Sequence, residues 1–208
     1  MQEQLRSQVD LVSRLPAPPA RVAGVDVSYD KDSHRVAAAA VLIELATLKV
    51  AESAVAYGEA TFPYVPGLLA FREVPILVAA LGKLTMRPDV LVCDGYGVAH
   101  PRGFGLACHL GVVTRLPTFG VAKTRFIATY EEPGPLRGDW SPLRDAGIEV
   151  GRAVRTQTNV KPVFVSVGHR ITLDEATSLT LMLSRRYRIP DVIREADARS
   201  RRALRERD

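Results

Sequence analysis

The stretch VAGVDVSYDKDSHRVAAAAVLIELAT, residues 22–47, decides the class of fold. Its two strand-like segments, 22–30 and 35–47, are separated only by the polar sequence KDSH, which predicts an antiparallel hairpin. A third segment, KVAESAVAYGEA (49–60), follows a tight turn near Leu48 and adds another antiparallel strand.

The pattern then changes to alternating helices and strands. We predict helices at 2–13, 67–84 (with Pro75 as a kink or first turn), 104–114 and 173–187, strands at 89–94, 117–123, 148–157 and 162–167, and a surface excursion at 126–145. Thr172 and Glu175 form a capping-box signature before the last helix. The order indicates an α/β fold with a mixed sheet flanked by helices. We expect the first strand to be central, with strand 89–94 parallel to it.

Composition indicates a soluble globular protein, with 47% hydrophobic and 25% charged residues. We expect one domain over residues 1–208, with a basic C-terminal tail at about 185–208. The longest apolar run, 36–45, is too short to span a bilayer, and no secretory signal is visible, so we expect a cytoplasmic protein. Cys93 and Cys108 are interpreted as reduced core thiols.

The positive charge is concentrated near the C-terminus. The net charge is +5, and residues 185–208 carry nine arginines against five acidic residues. Such a segment suits a polyanion such as nucleic acid. The alternative is an ordinary solvated helix.

Acidic residues stand in apolar surroundings at two places. In LVCDGYGVAHPRG (91–103), Asp94 ends a short apolar strand, and Asp26 interrupts the apolar run at 22–27. Two carboxylates on adjacent strands repel each other, and a divalent cation removes that cost. Oxygen ligands without a Cys/His cluster favour Mg²⁺ over zinc. Glu73, on the predicted helix at 67–84, is a third candidate ligand, although taken alone it also suits a salt bridge or a cap.

Neighbouring groups suggest roles in the same site. His100 lies in the loop after Asp94, where it can ligate a metal or shuttle a proton, although lone loop histidines are often merely exposed. Arg102 and Lys123 are candidate phosphate ligands. Lys123, at the end of a strand, is equally compatible with an ordinary surface position.

Several segments together resemble one known family. They are VAGVDVSYD (22–30), FPYVPGLLAFRE (62–73), VCDGYGVAHPRGFGLACHLG (92–111), PTFGVAKTR (117–125), VSVGHRITLDEA (165–176) and YRIPDVIREAD (187–197). In the same order they resemble endonuclease V, the deoxyinosine 3′-endonuclease of nucleic-acid repair. The resemblance covers residues 20 to 197 approximately.

The resemblance implies a ribonuclease-H-like fold and a nuclease that uses Mg²⁺, with Mn²⁺ as a substitute. The family hydrolyses the second phosphodiester bond 3′ to a deaminated base, leaving 3′-hydroxyl and 5′-phosphate ends. By motif match, Asp26, Glu73 and Asp94 look like the metal-binding catalytic acids. His100 looks like the histidine of the site, and Lys123 like the lysine that steadies the scissile phosphate.

The same resemblance implies how DNA is held. Pro63, Tyr64, Val65 and Pro66 resemble the family's wedge, which enters the duplex where the lesion is turned out. The pocket for the extruded base would be lined by Gly67, Leu69, Gly105 and Leu106, with backbone groups close to the base edge.

Two positions depart from the family pattern. Tyr96 stands where the family usually has histidine, which implies altered site polarity and retained chemistry. Asp197 stands where members carry histidine or aspartate, and it is a candidate for the outer shell of the metal.

Three alternatives stay open at this stage. The same nuclease acting mainly on inosine in RNA is one, and no residue decides between the two substrates. A catalytically idle module that binds damaged DNA is another, although it would not need three converging acids. A nucleotide-binding α/β protein is the third, and the sequence lacks its phosphate-binding motifs. We expect a monomer that binds deoxyinosine-containing DNA and no membrane.

Overall fold

The computed structural model describes residues 2–30, 33–60, 65 and 67–206. Its elements are α1 (Gln2–Arg6), β1 (Arg21–Tyr29), β2 (Arg35–Glu44), β3 (Lys49–Glu59), α2 (Leu69–Leu81), β4 (Val90–Asp94), α3 (Leu106–Thr114), β5 (Thr118–Ala122), β6 (Trp140–Asp145), β7 (Ile148–Val154), β8 (Val163–His169), α4 (Leu173–Leu183) and α5 (Asp191–Arg205). The wedge residues Pro63, Tyr64 and Pro66 lie outside the described residues.

One mixed sheet organises the described chain. Its eight strands have the order β3-β2-β1-β4-β5-β8-β7-β6. Strand β1 pairs antiparallel with β2 and parallel with β4, and β2 pairs antiparallel with β3. The predicted hairpins and the parallel placement of strand 89–94 are therefore confirmed. Because β1, β4 and β5 run in the same direction, their carboxyl ends meet at one edge of the sheet.

Helices cover both faces of the sheet. Val22 and Val92 lie in a core cluster with residues of α4 and α5, whereas Ala23, Val25 and Leu91 lie in a second cluster with residues of α2 and α3. Alternate strand residues point to opposite faces, which produces this division. Strand β2 is buried from Val36 to Ile43, which explains its continuous apolar run.

The first helix is shorter than predicted and ends at Arg6 instead of residue 13. The backbone that follows is bonded to the end of β8. The Asp10 N–H donates to His169 Nδ1 at 3.1 Å, and the Asp10 carbonyl accepts from Arg170 N at 2.6 Å. These tertiary hydrogen bonds replace the helical ones, and Val12 is 63% exposed.

The predicted surface excursion at 126–145 contains a strand, β6, so that prediction was partly wrong. Proline is tolerated in an edge strand, and Pro142 lies in β6 at the end of the sheet. Arg155 holds the preceding segment against the sheet, because its guanidinium donates to the carbonyls of Gly134 and Pro133 at 2.9 and 2.8 Å.

The basic C-terminal segment contains a core helix. Helix α5 buries Val192, Ile193 and Ala196 against β1 and β2. It lies so close to β1 that a Cβ at Gly24 would stand 2.6 Å from the Val192 carbonyl oxygen. The capping box of α4 is present as predicted.

Both cysteines lie in the interior of the protein. Cys93 and Cys108 are free and buried, as expected for core thiols. No helix within the described part of the chain is long and apolar enough to cross a membrane.

Candidate active site

Three predicted site residues meet at the carboxyl edge of β1, β4 and β5. Asp26 lies near the end of β1, Asp94 is the last residue of β4, and Lys123 directly follows β5. The Lys123 ammonium is 2.5 Å from Asp94 Oδ2. Arg188 holds the backbone of Lys123 in place, since the Arg188 guanidinium donates to the carbonyls of Lys123 and of Pro162. Parallel strands thus bring residues distant in sequence to one edge, as the sequence predicted.

Glu73 reaches the same edge from helix α2. Its side chain is buried, and the Tyr29 hydroxyl donates a hydrogen bond to Glu73 Oε1 at 3.0 Å. The Arg72 guanidinium lies over the Tyr29 ring, 4.4 Å from its centroid. Tyr29 therefore orients the carboxylate, a role that the sequence analysis did not assign.

The pKa values of Asp26 and Glu73 are both raised, as expected for acids that lie close together. Burial, together with the charges of Asp94 and Asp197, raises the pKa of Asp26 to about 7 against the opposing effects of Ser200 and Lys123. Burial likewise raises the pKa of Glu73 to about 7, with contributions from Asp26 and Asp94, although the Tyr29 hydrogen bond opposes the shift. The carboxylates are close enough to destabilise one another's charged forms.

Helix α5 supplies two site residues that the motifs alone did not establish. The buried Ser200 hydroxyl lies 3.2 Å from Asp26 Oδ2 as a donor and 2.7 Å from the Ser28 hydroxyl. Asp197, considered only as an outer-shell candidate, interacts electrostatically with Asp26. For Ser200 the only signal in the sequence was the apolar spacing that directs one face of α5 to the sheet, whereas Asp197 also lies in the family-like segment 187–197.

The donor set fits a hard divalent cation. Among the described residues, no three His, Cys, Asp or Glu side chains form a ready-made metal cage. Mg²⁺ does not require one, because it typically takes one or two protein carboxylates and completes its shell with water and phosphate oxygens. Asp26, Glu73 and Asp94 present only carboxylate oxygens and an excess of negative charge, which such a cation would neutralise.

These raised pKa values predict an unusual pH dependence of stability in metal-free protein. Between about pH 4 and pH 7 the unfolded chain loses protons from Asp26 and Glu73 that the folded protein retains. The free energy of unfolding should therefore fall as pH rises through this window, by about 2 kcal/mol or more. Urea unfolding in EDTA at pH 5 and pH 8 measures the change.

The matched control is the isosteric double variant Asp26→Asn, Glu73→Gln. His100, His109 and His169 have pKa values lowered by burial, so they contribute the opposite pH trend in both proteins. The difference between wild type and variant isolates the two acids. Equal pH dependence in the two proteins would contradict the prediction.

A cavity of about 400 Å³ opens beside Asp94 and Lys123, and we call it the base-side cavity. It is lined by Gly67, Leu69, Ala70, Asp94, Gly95, Tyr96, His100, Phe104, Gly105, Leu106, Ala122, Lys123, Thr124 and Phe126. All four residues predicted to line a base pocket are therefore brought together around one cavity.

Aromatic side chains form one wall of the base-side cavity. The Tyr96 and Phe126 rings are stacked with centroids 5.3 Å apart, and His100 meets Phe126 edge-on at 5.6 Å. The Tyr96 hydroxyl donates to the Thr124 carbonyl at 2.7 Å. Burial, followed by the charge of Arg102, lowers the pKa of His100, which favours its neutral form. Tyr96 thus braces the wall, and sequence analysis missed Phe126 because it lies outside the matched segments.

Backbone amides at the start of α3 face the same region. The Gly105 N–H donates to the Gly97 carbonyl and the Ala107 N–H to the Tyr96 carbonyl, both at 3.0 Å. No described residue accepts a hydrogen bond from the Leu106 N–H, the first amide of α3. First-turn amides of a helix have no partner within the helix. Leu106 therefore offers a donor that Gly105 does not.

Arg102 lies away from the acids. Its guanidinium donates to Gln2 Oε1 at 2.8 Å, and the Gln2 amide donates to the Phe104 carbonyl at 3.2 Å. Arg102 is absent from the residues that line the cavities at the acids. Its proposed contact with phosphate stays a prediction.

A second, more open cavity of about 680 Å³ lies on the other side of the acids, and we call it the α5 cleft. It is lined by Asp26, Val27, Ser28, Tyr29, Asp30, Asp94, Lys123, Asp197, Arg201, Leu204 and Arg205. Asp94 and Lys123 belong to both cavities, so they stand at the junction between a largely apolar pocket and a more open, charged cleft.

Comparison with known proteins gives one consistent result. The family model described as Endonuclease V matches residues 3–198. A relative named Endonuclease V from Streptomyces avermitilis is 57% identical, over 99% of this chain and 90% of its own length. A crystal structure of Endonuclease V from that organism superposes with a TM-score of 0.93.

More distant solved structures agree. The catalytic domain of human Endonuclease V is 39% identical with a TM-score of 0.91, covering 99% of this chain and 93% of that one. Endonuclease V from Ciona intestinalis, crystallised with DNA containing an inosine followed by a ribo-adenosine, is 27% identical with a TM-score of 0.88, covering 100% of this chain and 96% of that one. The expected ribonuclease-H-like α/β fold is confirmed by these likenesses.

Proposed function

The chain belongs to the endonuclease V family and is a nuclease, and from this premise we propose that it recognises deoxyinosine in DNA and hydrolyses the second phosphodiester bond 3′ to it. The P–O3′ bond breaks, leaving a 3′-hydroxyl and a 5′-phosphate. A relative crystallised with inosine-containing DNA supports this substrate class.

One observation carries the proposal: the base-side cavity and the acids share Asp94 and Lys123. A base held in this largely apolar pocket therefore has its own backbone beside a cluster of carboxylates and a lysine. A nuclease that turns out a base and cuts nearby needs this adjacency. A simple binding module has no use for the acids.

Selection of hypoxanthine is assigned to the backbone of the base-side cavity. Hypoxanthine differs from adenine in carrying a 6-oxo group, which accepts a hydrogen bond, in place of an amino group, which donates one. The Leu106 N–H, with no described acceptor, is a suitable partner for the oxo group. Adenine would leave this amide unpaired in a desolvated pocket, which costs binding.

Asp26, Glu73 and Asp94 would hold Mg²⁺, with Mn²⁺ as a substitute. The chemistry that the bound cation supplies is polarisation of the attacking water and neutralisation of charge at phosphorus. Tyr29 and Ser200 orient Glu73 and Asp26 through the hydrogen bonds described above. His100, neutral at physiological pH, is placed to exchange a proton at the cavity wall.

Lys123 is proposed to steady the scissile phosphate through its ammonium group. Its side chain is half exposed, and its present partner, Asp94, is one of the candidate cation ligands. We expect Lys123→Met to lower the single-turnover cleavage rate by about a hundredfold, because a donor aimed at the charge that develops on the phosphate is lost. Lys49→Met is the control and should leave single-turnover rates unchanged, because this exposed lysine begins β3 at the opposite edge of the sheet. A Lys123→Met rate within twofold of wild type would remove the lysine from the mechanism.

The direct test uses a labelled oligonucleotide with one deoxyinosine, an undamaged copy, and an RNA strand with inosine. Mg²⁺-dependent cleavage one nucleotide beyond the deoxyinosine, abolished by EDTA, is the expected result. Preferential cutting of the RNA would make this an inosine-specific endoribonuclease instead. Tight binding to DNA without any metal-dependent cut would support the idle binding module.

Three further assignments belong to the same proposal. The active unit is one domain over residues 1–208, acting as a monomer. The wedge at Pro63, Tyr64 and Pro66 enters the space that the extruded base vacates. The Tyr64→Ala variant tests the role of the wedge.

A further inference from the structure

Two cavities meeting at one pair of residues impose an order on any strand that occupies both. The base-side cavity and the α5 cleft share Asp94 and Lys123 and otherwise extend in different directions. If the base occupies the first cavity and the scissile phosphate lies at Asp94 and Lys123, the following nucleotides enter the α5 cleft. Along the strand, the base, the scissile phosphate and the following nucleotides therefore come in the same order as the base-side cavity, the shared residues and the α5 cleft.

The far end of the α5 cleft carries positive charge. Asp197, Arg201, Leu204 and Arg205 line the cleft, and their spacing of four, seven and eight residues places them on one face of the helix. Arg201 Nε lies 2.7 Å from Asp197 Oδ1, and its side chain is 63% exposed. No described acid pairs with Arg205. A strand that leaves the acids thus meets two arginines.

Two other arginines of α5, Arg199 and Arg202, have different surroundings. Arg199 pairs with Glu195, and Arg202 pairs with Glu206 at 2.5 Å. Neither arginine lines the α5 cleft. Of the α5 arginines, Arg201 and Arg205 line the cleft, where Lys123 is the other cation, and Arg199 and Arg202 serve as internal controls.

We propose that Arg201 and Arg205 form a binding subsite for the backbone phosphates 3′ to the scissile bond. The substrate strand then runs 5′ to 3′ from the base-side cavity, past Asp94 and Lys123, along the α5 cleft. This assignment rests on the proposed function, because it uses a cut on the 3′ side of the base.

The chemistry of the two arginines matches that ligand. A guanidinium presents a planar fork of donors that fits phosphate oxygens, and it remains charged at any physiological pH. Asp197 holds the Arg201 guanidinium on the cleft wall, which reduces the entropy lost on phosphate binding. Arg205 has no described acidic partner to release, so it contributes more than Arg201 to phosphate binding. The simpler alternative is that both are ordinary solvated surface arginines.

The experiment combines truncated substrates with arginine variants. Deoxyinosine strands of equal 5′ length end either one nucleotide or eight nucleotides beyond the cut, and single-turnover rates are measured against enzyme concentration. In the wild type the shorter strand should bind about five- to tenfold more weakly. Arg201→Ala, Arg205→Ala should bind the longer strand as weakly as the shorter one. For this variant, the slope of log binding constant against log salt concentration should decrease in magnitude by about one to two, since up to two phosphate contacts are lost.

Controls separate this inference from general charge loss. Arg199→Ala, Arg202→Ala removes the same charge from α5 outside the cleft and should retain the length dependence. Shortening the strand on the 5′ side should weaken wild type and cleft variant by the same factor. Because rates at saturating enzyme report the chemical step, they should change less than twofold in the Arg199→Ala, Arg202→Ala variant. Circular dichroism and the urea unfolding midpoint show that both double variants fold.

Each outcome supports or overturns the subsite. A cleft variant that keeps the 3′ length dependence, or equal losses in the two double variants, would overturn it. A cleft variant that loses the 5′ length dependence and keeps the 3′ length dependence would reverse the strand direction and overturn the inference as stated. If the wild type does not cut the long strand at all, the proposed function itself has failed, which is a different result from loss of length dependence in an active enzyme.

Discussion

Asp94→Asn should lower the rate of cleavage by at least about a thousandfold in saturating Mg²⁺. Asparagine has nearly the same shape, so the change removes charge from the shared edge of the two cavities while leaving the packing intact. Asp94 contributes to the raised pKa values of both Asp26 and Glu73, and it is the partner of Lys123. One substitution therefore weakens the cation site and alters the position of the phosphate-binding lysine.

A stability measurement separates this effect from unfolding. Loss of the Asp94 charge relieves repulsion on Asp26 and Glu73, so in EDTA at pH 8 the variant should be at least as stable as the wild type. Asp145→Asn, at an exposed aspartate that ends strand β6, is the matched control and should retain full activity. An active Asp94→Asn enzyme, or one that is inactive because it is unfolded, would contradict the argument.

Gly97→Ala should lower the free energy of unfolding by about 3 kcal/mol or more. A Cβ at Gly97 would stand 1.9 Å from the Val167 carbonyl oxygen and 2.5 Å from its carbon. Both atoms belong to the backbone of β8, which cannot move aside like a flexible side chain. The Gly97 N–H also donates to Ser166 Oγ at 2.7 Å, so displacing the loop breaks a buried hydrogen bond.

Gly147→Ala is the informative comparison for that prediction. Gly147 has a φ of +84°, and a Cβ added there would meet nothing within 4 Å. Its substitution should cost only about 1 kcal/mol, the conformational cost of an L-residue in the left-handed region. Urea unfolding of both variants in Mg²⁺-containing buffer measures the difference. Equal losses would show that the close approach of Gly97 to β8 is not what requires glycine there.

The candidate site was accessible from the sequence wherever a functional residue stands at the end of a strand. Asp94 and Lys123 end short apolar runs, and Asp26 breaks one, so each is conspicuous in the one-dimensional pattern. Parallel neighbouring strands place such ends at one edge, which made their convergence predictable.

Other parts of the site had no local signal. Ser200 and Tyr29 orient the acids through side-chain hydrogen bonds across 174 and 44 residues of sequence. Phe126 contacts Tyr96 and His100 from a loop. The pattern of apolar residues in the sequence does not determine the path of that loop. The actual position of Arg102, bonded to Gln2, was equally inaccessible, because it depends on where helix α1 packs.

By itself the sequence determined the three antiparallel strands, the parallel strand that ends at Asp94, the capping box at Thr172 and the likeness to a single family. Each of these rests on local periodicity, strand-end chemistry or contiguous motifs. Only the tertiary structure decided that α1 ends at Arg6, that β6 lies within 126–145, and that α5 packs on β1 to complete the acidic edge. These features arise from hydrogen bonds and packing between distant segments, whose free energy outweighs local propensity and is not encoded in neighbouring residues.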